Sequence, residues 1–202
     1  MIRLYQHYSL YGFSNSYLLG DDRTGQALVV DPGEFNVQVL DHIERHGLYV
    51  STVLLTHAHA HHVAGLATLL KIYDAEVYSA STAVTGIPCR VVRDGERFAA
   101  AGFSIESLSV PGHSPDSIVY RVDRLLFTGD ALHAGIIGRT LSPFNARVLA
   151  ERLRTRILDL DDECLVLPGH GPPSTLGTER LCNIGLEEGW AERIKSGYDF
   201  FV

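Results

Sequence analysis

The chain has 202 residues, is 46% apolar and carries a formal net charge of −7. That length predicts a single domain over residues 1–202 with a sizeable core, and the composition is that of a globular protein. The acidic balance argues against a nucleic-acid-binding or anionic-membrane-binding surface, and no apolar stretch approaches the roughly 18 residues of a membrane span. The opening MIRLYQHYSLYG has one Arg and no long apolar run, so it does not read as a secretory leader. Cys89, Cys164 and Cys182 are far apart and odd in number. They read as reduced thiols of a cytoplasmic protein, neither a disulfide framework nor a CxxC pair.

In chain order, residues 2–8 and 16–19 are β-rich, and DDRTG makes a turn. ALVVD (27–31) is a short apolar strand stopped by Pro32-Gly33. FNVQVLDHIERHG places Val37, Leu40 and Ile43 on one face and ends in Gly47, which predicts an amphipathic helix. STVLLT (51–56) is a buried strand, and VAGLATLLKIYD reads as a helix. EVYSA, FSIESLSV, SIVYRV and RLLFTGD read as strands with turns between them. ARVLAERLRTRILDL (146–160) is a strongly periodic helix, and CLVLPGH (164–170) is a last buried strand. Two batches of strands with helices between and after them predict an α+β fold, two facing sheets with helices outside. The tail ends in the aromatics Tyr198, Phe200 and Phe201, which either pack on the domain or form a homodimer contact.

Between the strand at 51–56 and the helix that follows stands THAHAHH (56–62), with four histidines in six positions. Other strands also run into donor residues: SLSVPG into His113, LLFTG into Asp130, and LVLPG into His170. Strand ends along one edge of a sheet combine fixed geometry with open loops. A histidine-rich solvent loop would not need to follow a core strand. His57, His59, His61, His62, His113, Asp130 and His170 are therefore candidate metal ligands, and seven donors suit two metals better than one. Imidazoles with one carboxylate suit Zn, Fe or Mn rather than Ca or Mg. If the cluster is extended, alternate residues point the same way, which groups His57, His59 and His61 and turns His62 away.

THAHAHH, PGHS (111–114), TGD (128–130) and PGHGP (168–172) together resemble the metallo-β-lactamase superfamily. GDALHAGIIGRT and PGHGPPSTLGTERLCN resemble its small bacterial branch related to glyoxalase II. The resemblance implies a four-layer αββα sandwich with the site at one edge of the two sheets. It also implies a division of ligands: His57, His59 and His113 on a first metal, residue 61, His62 and His170 on a second, and Asp130 bridging them.

Several features depart from the pattern. The aspartate of the usual HxHxDH is His61, the usual RTDLP is RTLSP at 139–143, and glyoxalase II's glutathione-binding helical domain is absent. His133 stands where the family commonly has an apolar or aromatic residue, three positions past Asp130. It either serves the site or packs beside it without a role. Arg139 is a structural or substrate-carboxylate contact.

Two functions follow as expectations. In the hydrolytic members a metal-bound water attacks a carbonyl, and the residue-61 aspartate orients it; a neutral histidine weakens that arrangement. Six imidazoles with one carboxylate resemble instead the flavodiiron-related oxygen-binding diiron proteins, some of which are chemotaxis sensors. That reading expects two metals, iron before zinc, with a bridging oxo, hydroxo or water. It adds O2 as ligand, a chemotaxis-type signalling partner, and Tyr11 as a hydrogen-bond donor near the metals. The alternative is a glyoxalase-II-like hydrolase of small thioesters. RNA processing needs a large inserted domain, and a mononuclear iron site would leave His61, His62 and His170 idle.

Overall fold

The computed structural model describes residues 1–187 and 189–190. The chain opens with β1 (Ile2–Tyr8), β2 (Asn15–Asp21), β3 (Gln26–Val30), α1 (Val37–Arg45) and β4 (Tyr49–Leu54). The histidine cluster leads into two short helices, α2 (Ala60–Val63) and α3 (Leu66–Leu69), and then β5 (Glu76–Ser79). A small hairpin, β6 (Ala83–Val84) and β7 (Ile87–Pro88), precedes β8 (Arg90–Val91). Next come β9 (Arg97–Ala100), β10 (Phe103–Ser109), β11 (Ile118–Val122) and β12 (Leu125–Gly129). A second hairpin, β13 (Leu132–His133) and β14 (Ile136–Ile137), is followed by α4 (Pro143–Arg156) and β15 (Leu165–Pro168). β16 (Ser174–Thr175), α5 (Leu176–Cys182) and a 3₁₀ turn at Ile184–Leu186 complete the described fold.

Two six-stranded sheets form, in the order β1-β2-β3-β4-β5-β8 and β16-β15-β12-β11-β10-β9. The period-2 alternation of strands shares their side chains among three cores. Tyr17, Leu19, Leu28, Val30 and Leu54 meet Ile105, Tyr120, Phe127 and Leu167 between the sheets. Leu18, Ala27, Val29 and Val53 face outward against Val39, Ile43, Val63 and Leu66 of the helical layer. On the far side, Leu108, Val119, Leu126 and Val166 pack on Leu149, Leu153 and Leu176. The result is the α+β, αββα sandwich expected. Both faces of each sheet are covered, which is why the strands read as continuous apolar runs. Leu149 and Leu153 are fully buried, and each contributes about 1.5–3 kcal/mol by that burial.

Local chemistry explains where the helices differ from expectation. In α1 the side chain of Asn36 accepts from Gln38 N and Val39 N, so the first turn is capped there. This phase buries Val39 and Ile43 and leaves Val37 exposed. The periodic helix at 146–160 begins earlier, at Pro143, because Ser142 Oγ accepts from Asn145 N and proline suits the first helical turn. The helix expected over 63–74 is two short ones. Gly65 N donates to Pro32 O at 2.7 Å, and a Cβ on Gly65 would lie 2.6 Å from Phe35 N, so the Pro32–Phe35 loop crosses where a continuous helix would run. The aromatic tail at Tyr198, Phe200 and Phe201 lies outside the described residues. Among those described, no helix is long and apolar enough to cross a membrane, and Cys89, Cys164 and Cys182 are free.

Candidate metal centre

Four strands deliver the donors to one edge of the sandwich. His57 follows β4, His113 follows β10, Asp130 follows β12 directly and His170 follows β15. Two close approaches make this edge. Gly129 has φ +49°, and a Cβ there would lie 2.2 Å from Thr56 Oγ1, so only glycine lets β12 pass the turn before His57. Asn15 holds the turn before His170: its Nδ2 donates to Pro168 O and Gly171 O, at 3.0 and 2.8 Å.

The seven predicted donors converge, and they fall into two groups that share Asp130. His57, His59, His113 and Asp130 present donor atoms within 4.8 Å of one another, and so do His61, His62, His170 and Asp130. The expected alternation is not how the cluster is built. His59 is the last extended residue, and α2 starts at Ala60. His61 and His62 therefore sit on a helical turn, where neighbours diverge by about 100°. His62 does not turn away: it is fully buried, with Nε2 3.3 Å from Asp130 Oδ1.

Outer partners fix which ring nitrogen faces the site. Thr56 donates its backbone N–H and its hydroxyl to the Asp31 carboxylate, at 2.8 and 2.5 Å. With that proton committed, Thr56 Oγ1 accepts from His57 Nδ1 at 3.0 Å, and His57 Nε2 is left as a bare lone pair. His62 Nδ1 donates to Asp31 at 3.1 Å, His113 Nδ1 to Arg139 O at 2.8 Å, and His170 Nδ1 to Phe13 O at 3.0 Å. This outer fastening of inward-facing imidazoles is the arrangement metal-ligating histidines require.

The inner atoms are spaced for a cation. His59 Nδ1 stands 3.0 Å from both His57 Nε2 and His113 Nε2. Asp130 Oδ2 is 3.8 and 3.5 Å from His57 and His113, and 3.7 and 3.5 Å from His61 and His170. Two donors each about 2.1 Å from one cation stand about 3.0–3.4 Å apart at right-angle to tetrahedral geometry, which the His59 spacings meet and the slightly wider Asp130 spacings approach. His61 Nε2, His62 Nε2, His133 Nε2 and Asp130 Oδ1 are buried without a hydrogen-bond partner. Each such orphan costs about 1–3 kcal/mol, and a cation shared with Asp130 would satisfy those of His61 and His62 together.

Burial and neighbouring charges act on these groups in opposite directions. Burial, reinforced by the neighbouring His62, pushes His57 down to about 2, so it is a ready neutral ligand. Burial also lowers His59 and His113. Burial alone would lower His62 too, but Asp130 and Asp31 outweigh it and raise it to about 10. Burial would raise Asp130, yet the imidazoles of His133, His170, His61 and His62 facing it hold it well below the carboxylate range.

The remaining candidates are placed differently. Tyr11 is 54% exposed, and its loop meets the cluster through Gly12, packed on His61 Cβ, and through the Phe13 carbonyl. Arg139 is exposed and serves through its backbone carbonyl on His113. His133 Nε2 lies 3.5 Å from Asp130 Oδ1. Sequence reasoning misses Asp31, which is 2% exposed and organises both Thr56 and His62. The signal is present, since ALVVD is another apolar strand running into a donor residue. It also misses Asp116, which accepts from Ala58 N at 3.0 Å.

With this geometry in hand, comparison with known proteins defines the class. The family model described as the metallo-beta-lactamase superfamily matches residues 11–88 and 85–170. The chain belongs to that superfamily and is a metal-binding protein of its fold. Hydroxyacylglutathione hydrolase GloC of Haemophilus influenzae is 30% identical over 193 residues, covering 84% of this chain and 91% of that protein. ETHE1 from Myxococcus xanthus superposes with a TM-score of 0.86 at 28% identity, covering 98% of this chain and 92% of that one. TTHA1623, solved in a di-iron-bound form, superposes with a TM-score of 0.75 at 28% identity, covering 89% and 98% of the two chains.

Proposed function

We propose that this chain is a two-metal hydrolase of small thioesters, with His57, His59 and His113 on one metal, His61, His62 and His170 on the other, and Asp130 shared. The observation that carries it is the pair of donor groups around one carboxylate, placed where the edge opens to solvent: the side chains of His61 and His170 are 30% and 20% exposed. Bound metals would supply an acidified water and polarise the substrate carbonyl. The two loops that fasten His170 and His113 also expose Tyr11, Phe13 and Leu141, at 54%, 62% and 94%. Such a border suits an organic substrate, and dioxygen has no use for one. The likeness to GloC supports the same reading.

His61 sets the expected rate. A neutral imidazole replaces a ligand bond but accepts no proton from the attacking water, so hydrolysis is slow for the family. His61→Asp, assayed against a thioester panel at matched metal content, raises kcat by about 10- to 100-fold, the lower part of what a positioned base contributes. Two bound metals with no thioester cleaved by wild type or variant would overturn the proposal.

A second reading is a diiron protein that binds dioxygen and reports it to a partner. It is favoured by His61 itself, since six imidazoles to one carboxylate suit Fe(II), and by the di-iron form of TTHA1623. Two irons per chain and a visible band that changes between anaerobic and aerated protein, without thioester turnover, would establish it.

A further inference from the structure

We propose that β1 is an interface strand: its open edge pairs antiparallel with β1 of a second copy of this chain, joining the two copies' first sheets into one across a two-fold axis at Tyr5. This surface lies outside both donor groups and does not depend on the reaction they serve.

The hydrogen-bond phase of the strand comes first. β1 is an outermost strand of its sheet. It pairs along its whole length with β2, from Ile2 opposite Asp21 to Tyr8 opposite Asn15. Just beyond its two ends, Asp22 N donates to Met1 O at 3.0 Å and Ser9 N to Ser14 O at 2.8 Å. Bonded and non-bonded positions alternate in an antiparallel pair, so Arg3, Tyr5 and His7 bond to β2. Ile2, Leu4, Gln6 and Tyr8 therefore turn their N–H and C=O to the open edge. Among the described residues, no other backbone group bonds to them. Their side chains share the face of Tyr17 and Leu19, which lie opposite Gln6 and Leu4, yet Ile2, Leu4 and Tyr8 are 60%, 39% and 52% exposed. The second sheet thus ends before it covers β1. A long apolar edge left open is a template for another strand. The other outer strands of the two large sheets are shorter: β8 and β16 have two residues each and β9 has four.

Charge and side-chain pattern then select the occupant. With two copies opposed about Tyr5, Ile2 meets the partner's Tyr8 and Leu4 meets the partner's Gln6 as hydrogen-bonded pairs, and symmetry repeats each pair. The outward N–H and C=O groups of both strands are then satisfied. On one face, Ile2, Leu4 and Tyr8 of both copies form a single apolar row, with a β-branched residue set against an aromatic as cross-strand positions favour. On the other face, Arg3 falls opposite the partner's His7. His7 Nε2 is 3.8 Å from Glu34 Oε2, and the Asn36 amide beside Glu34 holds its carboxyl below the usual carboxylate range. Arg3 and Glu34 are both partly exposed. The two-fold therefore brings each Arg3 cation toward the partner's Glu34 anion, once at either end of the paired strands. β1 itself carries no acidic residue. In a chain of net charge −7, such an edge lets two copies meet without setting carboxylate against carboxylate.

The test is sedimentation velocity of the full chain, from low to high micromolar concentration, for wild type, Leu4→Pro and Leu4→Lys. The Leu4 N–H points to the open edge, so proline there removes an interface donor and no bond to β2, and edge strands accept proline. Lysine sets a hydrated charge in the apolar row, a device natural edges use against pairing. The expected result is a wild-type dimer whose dissociation constant rises about 100-fold in either variant. Amide exchange read residue by residue should show Leu4, Gln6 and Tyr8 protected in the dimer, with protection lost on dilution. A wild type that stays monomeric throughout overturns the inference, whether its edge amides exchange freely or are covered by another segment of its own chain. A dimer that neither variant weakens, with those amides exchanging freely, also overturns it and puts the interface elsewhere. If Leu4→Pro fails to fold by circular dichroism, Leu4→Lys and the amide exchange decide.

Discussion

The two donor groups are held by different kinds of backbone. His57 and His59 lie on extended chain leaving β4, and His113 follows β10, so the first group inherits its geometry from strands. Its nitrogens already sit 3.0 Å apart. In the second group, His61 and His62 ride on the one turn of α2. Their turn is steadied by loop contacts: Ser14 Oγ donates to His61 O at 2.7 Å, and His62 is moored to Asp31. A strand end admits little variation, because a shift of one residue reverses the face a side chain points to. A short helical turn held by loops accepts a different side chain at residue 61 without moving its neighbours. The second group is also where His61 stands in place of the usual aspartate, so the change falls where the scaffold is a short turn and not a strand end.

Asp130→Asn should break the distinction between the groups altogether, since it removes what they share. Losing one partner of a buried ionic cluster costs about 3–5 kcal/mol. Metal analysis after dialysis should therefore show both metals lost, with affinity down about 1000-fold; retention of one metal would mean that Asp130 belongs to a single group.

Asp31→Ala tests the mooring next. It leaves the buried Thr56 N–H and His62 Nδ1–H without an acceptor, at about 1–3 kcal/mol each. Denaturant unfolding of the metal-free chain should show a loss of about 2–5 kcal/mol, and second-metal affinity should fall about 10- to 100-fold.

Gly169→Ala sharpens the comparison without deleting a donor. The new Cβ would lie 2.4 Å from His62 Cε1 and 2.5 Å from Asp130 Oδ1. Second-metal affinity is expected to fall about tenfold, in line with a disturbed supporting shell, and first-metal affinity to stay within about threefold. Equal losses at both would show that the groups are not separable.

The smallest effect is in proton release. His62 is raised to about 10 in the metal-free fold, while His57 is lowered to about 2. A raised histidine contributes stability that is complete below its unfolded value and fades as pH rises through the folded one. At neutral pH the second group thus binds metal against a proton and the first does not. Calorimetry in buffers of different ionisation enthalpy should find about one proton released per chain at pH 7–8, falling to about half near pH 10, and second-metal affinity rising with pH across that window. Release that does not vary with pH would contradict the assignment to His62.

Much of this is legible in the residues. Apolar runs ending in His113, Asp130 and His170, and the density of THAHAHH, identify the donors, because burial periodicity and donor chemistry are local properties of a chain. The layered order of strands and helices is legible for the same reason. Local pattern fails in particular places. The break at Gly65 depends on the Pro32–Phe35 loop, distant in sequence, pressing against it. Val37 falls outside the buried face of α1 because the cap at Asn36 sets the phase.

Tertiary structure alone decides the partition of donors and their second nitrogens. That His62 faces Asp130, that Asp31 moors it, and that carbonyls of Phe13 and Arg139 hold His170 and His113 are contacts between segments distant in sequence. Residue types name what can bind a cation. Which atoms meet around one is set by how two sheets and their loops close on each other, since a ligand shell is defined to a few tenths of an ångström and no local preference carries that precision.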